Sequence, residues 1–276
     1  MMNSGEFLNY RRKFLKSLSL LAGTGLTVTP LALAQQSGEL PSRTEYQKLI
    51  AANRILANEN VVDAFGHVSV RSPDNPQLFV MSRSRSPAVV EFSDLMEFDL
   101  SGNAINAGGR RPYGERMIHA AIYDARPDVQ SVVHHHAYPV LPFTITDEPL
   151  RPVVHAASII GEQIPLWDIR KNFGETDMLV RTIEMGRNLA DTLADNTCLL
   201  MRGHGAVVVG TEIERAVLTA VYLQVNADVL LRALALGEPN YLSSEEIKLA
   251  TQTQFSPLAV PRAWEYYCLR AGIDPV

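Results

Sequence analysis

Cysteine is nearly absent: Cys198 and Cys268 are the only two in 276 residues. Thiols so far apart have no metal-finger spacing and no disulfide framework, which leaves one bridge at most. Basic runs are missing outside the N-terminus, and the formal charge is −5 with a pI near 5.8. That balance argues against a nucleic-acid surface. Internal repeats and low-complexity tracts are absent too. What is plentiful is ordinary: 46% of residues are hydrophobic and 20% charged, enough for one large domain with a substantial core.

The first 34 residues read as a cleavable export signal. Tyr10-Arg11-Arg12-Lys13-Phe14-Leu15-Lys16 is basic, Ser17 to Leu33 is modestly apolar, and Ala32-Leu33-Ala34 sets small residues where a signal peptidase reads them. The apolar stretch is short for a membrane span. Paired arginines before Phe-Leu-Lys resemble a twin-arginine signal, so the expected location is periplasmic, or cytoplasmic if the segment is instead an amphipathic helix. Cleavage removes four positive charges and Glu6, leaving about −8 on a chain with no membrane attachment. Residues 35–43 are a polar linker, and 44–276 are expected to form one folded domain.

Apolar spacing predicts helices over Ser42–Asn60, Tyr113–Ala125, Leu179–Asp195, Glu212–Leu236, Ser244–Gln254 and Pro261–Arg270. Strands are expected at Val68–Val70, Leu78–Met81, Val129–Tyr138, Thr197–Met201 and Ala206–Val209, with a hairpin joining Glu97–Leu100 to Ala104–Ile105. The stretch Leu150–Val180 is rich in turns and gives no assignment. Hairpin-linked strands on one side and intervening helices on the other imply an α/β sandwich.

Val133-His134-His135-His136 sets three imidazoles on a strand. Side chains alternate across a sheet, so His134 and His136 share one face and His135 takes the other. Two imidazoles at i, i+2 suit a divalent metal, although a polar strand end carries such pairs as well. Arg202-Gly203-His204-Gly205 adds a third imidazole on a turn between two apolar runs. Three neutral imidazoles leave coordination positions open, as a catalytic ion requires. Glu115 opens a helix with His119 one turn on, and it is either a base beside the ion or a first-turn acid favouring the helix dipole. His119 is expected behind the site or in packing, and His155 in a structural role.

Gly114-Glu115-Arg116-Met117-Ile118-His119, Arg126-Pro127-Asp128-Val129, Val133-His134-His135-His136 and Arg202-Gly203-His204-Gly205 together resemble, in order and spacing, the class II aldolase/adducin family. The resemblance covers about Thr44 to Leu236. It implies a single three-layer α/β/α domain around a central, mainly antiparallel sheet, usually in homotetramers with active sites at subunit interfaces. It implies His134, His136 and His204 as ligands of one divalent ion, zinc or manganese first and cobalt or iron next, with Glu115 as acid/base.

The small donors that cradle phosphate in the family's sugar-phosphate aldolases are replaced here by Ala64-Phe65-Gly66-His67-Val68-Ser69 and Tyr113-Gly114-Glu115. Ser82-Arg83-Ser84-Arg85-Ser86 follows a strand, where Arg83 and Arg85 are expected either to bind a carboxylate or to form a solvated turn. His67 joins them on the substrate side. This set is similar to members that decarboxylate hydroxylated aromatic or pyridine dicarboxylic acids, so a small carboxylate is the expected substrate. Tyr266 or Tyr267 near the C-terminus is a candidate acid. An aldolase acting on an unphosphorylated hydroxy-keto acid is the alternative, and an exported metal-binding protein without turnover comes third.

Overall fold

A computed structural model describes residues 41–105 and 107–276. The export signal assigned to 1–34 and most of the 35–43 linker lie outside the described residues. Helix α1, Pro41–Asn58, takes in the last three linker positions, since proline suits a first helical turn.

Seven strands form one sheet among the described residues: β1 (His67–Arg71), β2 (Leu78–Ser82), β3 (Leu95–Asp99), β4 (Ser131–His135), β5 (Leu166–Trp167), β6 (Cys198–Met201) and β7 (Gly205–Gly210). Their spatial order is β3-β2-β1-β4-β7-β6-β5, and only the β5–β6 pair is parallel. The helices that follow α1 are α2 (Arg116–Ala125), α3 (Arg170–Phe173), α4 (Ile183–Leu193), α5 (Ile213–Leu236), α6 (Ser244–Gln254) and α7 (Ala259–Arg270).

Alternation along the strands builds two cores. Val68, Val70, Val133, Ala206 and Val208 face α1 and α5, where they meet Leu49, Ile55, Val217 and Leu223. Phe79, Phe98, Val132, Val207 and Val209 face the other way, onto Ile118 and Ile122 of α2 and Leu189 and Leu193 of α4. Each such fully buried side chain stabilises the fold by about 1.5–3 kcal/mol. Helices on both faces of a mainly antiparallel sheet are the expected α/β/α layers. Helix α5 is long and apolar enough to cross a membrane, yet half of that stretch is buried.

Several boundaries differ from the expectations. The Tyr113–Ala125 helix starts at Arg116, and the Val129–Tyr138 strand ends at His135. Helix α4 begins only at Ile183, because the Thr182 side chain accepts from the Met185 amide and caps it. The second arm of the 97–105 hairpin is a single bridge, Phe98 to Ala104. Cys198 and Cys268 are both free and buried, so no bridge joins them.

Candidate metal centre and active-site cleft

Strands β4 and β7 run antiparallel with His134 opposite Val207 and His135 opposite Ala206. The turn before β7 brings His204 back beside the end of β4. Gly203 takes a left-handed φ of +62°, and a Cβ on Gly205 would sit 2.2 Å from the His135 carbonyl oxygen. Both glycines are needed for the turn to close against the strand. Gly205 thus admits the neighbouring backbone rather than a ligand.

Each of the three rings is held by Nδ1. His134 donates to the Ala206 carbonyl at 3.1 Å, His204 to the Met178 carbonyl at 3.1 Å, and His136 to Asp63 Oδ1 at 3.2 Å. These acceptors carry no proton, so in the neutral rings Nδ1 carries the hydrogen and Nε2 keeps its lone pair. One ligand nitrogen from each ring lies within 4.8 Å of the others. The Nε2 atoms of His134 and His136 are only 3.0 Å apart. Two bare lone pairs at that distance repel unless a cation lies between them. The donor set fits a divalent ion held by His134, His136 and His204.

Burial pushes the His134 imidazole well below its ordinary range, with the His136 and His204 rings adding to the effect. Burial likewise takes His204 down to about 4, with His136 acting in the same direction. Neutral imidazoles are the form that binds metal.

Glu115 precedes α2 without capping it. Its Oε1 accepts the Val180 amide at 2.9 Å, and its Oε2 lies 3.7 Å from His134 Nε2 and 3.6 Å from His204 Nε2. Burial raises the carboxyl to about 7, against the Val180 amide and the Arg181 guanidinium, which favour the anion.

A cleft of about 610 Å³ opens in front of these groups, with Phe65, His67, Tyr113, Arg85, Met178 and Arg181 in its walls. His67 is buried on its floor, its ring centroid 4.7 Å from that of Tyr113. Arg85 reaches the cleft, but Arg83 is not among its lining residues. Both arginines engage the buried carboxylate of Asp94, Arg83 through Nε at 2.7 Å and Arg85 through a terminal nitrogen at 2.6 Å. Burial alone would raise the Asp94 carboxyl, yet the Glu91 amide and the two guanidinium groups hold it below the usual range. The arginine pair is therefore a braced turn, neither fully solvated nor fully free for a ligand. Tyr267 is buried in the α7 core and Tyr266 is exposed beside Arg270, and neither lines the cleft of this chain. His155 is exposed and meets the Gln254 side-chain amide.

Asp63, Val180 and Arg181 are site residues that the sequence reading missed. Asp63 sits four positions before His67 and accepts the Phe65 and Gly66 amides as a turn residue does, which was a readable signal. Val180 and Arg181 fall in the first turn expected of the Leu179–Asp195 helix, which starts only at Ile183, and nothing in that spacing points to a contact with Glu115.

The family model for the class II aldolase and adducin N-terminal domain matches residues 47–231. The chain belongs to this family. Over 211 residues it is 37% identical to the decarboxylase tropJ of Talaromyces stipitatus, a match covering 72% of this chain and 79% of that one. It is 29% identical to a 3,4-dihydroxyphthalate decarboxylase of Arthrobacter keyseri, over 69% of this chain and 79% of the relative. Among solved structures, L-fuculose 1-phosphate aldolase from Glaciozyma antarctica superposes with a TM-score of 0.70 at 25% identity, covering 84% of this chain and 90% of that one. The protein is a lyase of the class II aldolase family with a histidine–glutamate cluster suited to a divalent metal.

Proposed function

We propose that the protein is a divalent-metal-dependent decarboxylase of a hydroxylated aromatic or heteroaromatic carboxylic acid. The observation that carries this reading is the placement of a buried carboxyl, Glu115, 3.6–3.7 Å from two of three convergent imidazoles in a cleft with aromatic walls. The two relatives named as decarboxylases support it.

His134, His136 and His204 would hold the ion. When bound, it supplies Lewis acidity that draws developing negative charge onto a substrate oxygen. Phe65 and Tyr113 flank a planar ring, and Arg85 or Arg181 takes a second carboxylate at the rim. The bond from ring carbon to carboxylate breaks, CO₂ leaves, and the electron pair remains on the ring carbon. Since Glu115 Oε1 is engaged by Val180, Oε2 is the oxygen that delivers the proton to that carbon. Solvent then restores the proton to Glu115.

The likeness to an L-fuculose 1-phosphate aldolase keeps aldol cleavage of an unphosphorylated hydroxy-keto acid as the second reading. In that case Glu115 would remove a proton instead of delivering one. A substrate panel with metal-loaded full chain separates the two: CO₂ from hydroxylated aromatic acids supports decarboxylation, and pyruvate or aldehyde release overturns it. Metal uptake without turnover of any kind would leave only an exported metal-binding protein. We include in the proposal a periplasmic location and a homotetramer, tested by fractionating the native host and by sedimentation.

A further inference from the structure

Behind the cleft runs a buried chain of hydrogen bonds that catalysis by Glu115 does not use. The Tyr123 hydroxyl lies 2.8 Å from Ser69 Oγ, Ser69 Oγ 2.6 Å from His119 Nδ1, and His119 Nε2 2.7 Å from His67 Nδ1. All four side chains are buried, His119 and Ser69 completely. Burial lowers His119 to about 3, so its ring is neutral and carries one proton.

That single proton gives the chain two possible polarities, and the hydroxyls decide between them. The Val132 backbone amide donates to the Tyr123 oxygen and offers no acceptor, so the phenolic proton goes to Ser69 Oγ. The Ser69 hydroxyl proton then has one acceptor left, His119 Nδ1. With Nδ1 accepting, His119 carries its proton on Nε2 and donates it to His67 Nδ1. In the opposite polarity the Tyr123 hydroxyl proton has no acceptor among the described residues, at a cost of about 1–3 kcal/mol. Because His67 Nδ1 accepts that proton, it keeps a lone pair and carries no hydrogen of its own. The ring hydrogen is therefore on Nε2, the nitrogen left for the cleft that His67 lines. One His67 ring nitrogen lies within 4.8 Å of ligand atoms on Glu115 and His134.

We propose that the Tyr123–Ser69–His119 chain fixes His67 as a neutral hydrogen-bond donor into the cleft, so that the position beside Glu115 selects a substrate oxygen able to accept, a carboxylate or phenolate, over a group that can only donate. This deepens the proposed function and rests on it for the choice of ligand. The donor assignment itself is independent of turnover.

The test is nitrogen-15 NMR of histidine-labelled, zinc-loaded full chain, zinc being diamagnetic, with His67 assigned by its loss in His67→Gln. His67 and His119 are both expected as Nε2–H tautomers, with the His67 Nε2–H resonance moving on addition of 2,3-dihydroxybenzoate. Ser69→Ala removes the proton that sets the polarity. It should turn the His67 signal into a tautomer mixture and weaken 2,3-dihydroxybenzoate about fivefold, with zinc content unchanged. A wild-type His67 protonated on Nδ1, or a Ser69→Ala protein with the same tautomer and affinity as wild type, overturns the inference. If the tautomers are as stated but no carboxylic acid on the panel loses CO₂, the decarboxylase reading fails and the donor stands. CO₂ release with an Nδ1–H His67 is the reverse case.

Discussion

His134 and His135 are neighbours on one strand, both completely buried, and they have opposite fates. His134 gives its Nδ1 hydrogen to the Ala206 carbonyl and turns a bare Nε2 toward two other imidazoles and a carboxyl. His135, on the far face, accepts the Ala137 amide on Nδ1 at 3.3 Å, and its Nε2 has no partner among the described residues. The residue type and the burial are the same. What differs is the surroundings: one face of β4 meets the glycine turn before β7 and the start of α2, and the other meets packing. A metal centre is made by the acceptors that fix each ring as much as by the rings.

The largest expected effect separates the two faces outright. His134→Ala or His204→Ala should weaken metal binding by more than about 100-fold, beyond the loss caused by removing a residue that only orients a ligand. Metal analysis of the purified variants after dialysis measures this. Glu115→Gln comes next. Glutamine keeps the acceptor for the Val180 amide but cannot deliver a carboxyl proton, so kcat should fall by about 10²–10⁴ with metal content retained.

Acid should destabilise the metal-free protein. His119 and His135 are lowered to about 3, His204 to about 4, and His67 and His134 well below the ordinary 6.5. Below pH 6.5 the unfolded chain takes up protons at these positions that the folded chain refuses, so stability present above 6.5 erodes as pH falls. Each histidine costs up to about 1.4 kcal/mol per pH unit. Glu115 acts in the opposite sense between its ordinary 4.5 and about 7, where the folded state holds the extra proton, and offsets one of the five. Denaturant midpoints between pH 7 and 5 should therefore drop. A flat profile would mean that these rings are not buried and neutral.

Smaller effects probe the supports. Asp63→Asn removes the carboxylate that orients His136 and should weaken metal binding by about 10–100-fold, read by competition with a chelator. Smallest of all is His135→Leu, expected to leave metal content untouched and to change stability by about 1 kcal/mol in denaturant titrations, since it removes one ring nitrogen without a partner and one amide contact.

Much of this was readable from residue order. Alternation placed His134 and His135 on opposite faces, and the glycines beside His204 marked a tight turn. The sheet's layers followed from hairpins and helical spacing. What escaped reading depends on distant pairing. Nothing local shows that Arg83 and Arg85 share Asp94, or that His136 leans on Asp63 from beyond the end of its strand. Val180 and Arg181 were read as the start of a helix from Leu179, but that helix begins at Ile183 and leaves them at the end of a stretch whose 3₁₀ turn, two-residue strand and one-turn helix have no period to detect. Tyr266 and Tyr267 sit on α7 away from this chain's cleft for a similar reason: nothing in the spacing of the C-terminal helix shows what it packs against.

The most direct measurement of the central claim is an anomalous-difference map from crystals of the metal-loaded protein. One peak is expected, about 2.0–2.3 Å from Nε2 of His134, His136 and His204, with Glu115 Oε2 facing it. No peak there, or a peak ligated by other side chains, would contradict the account.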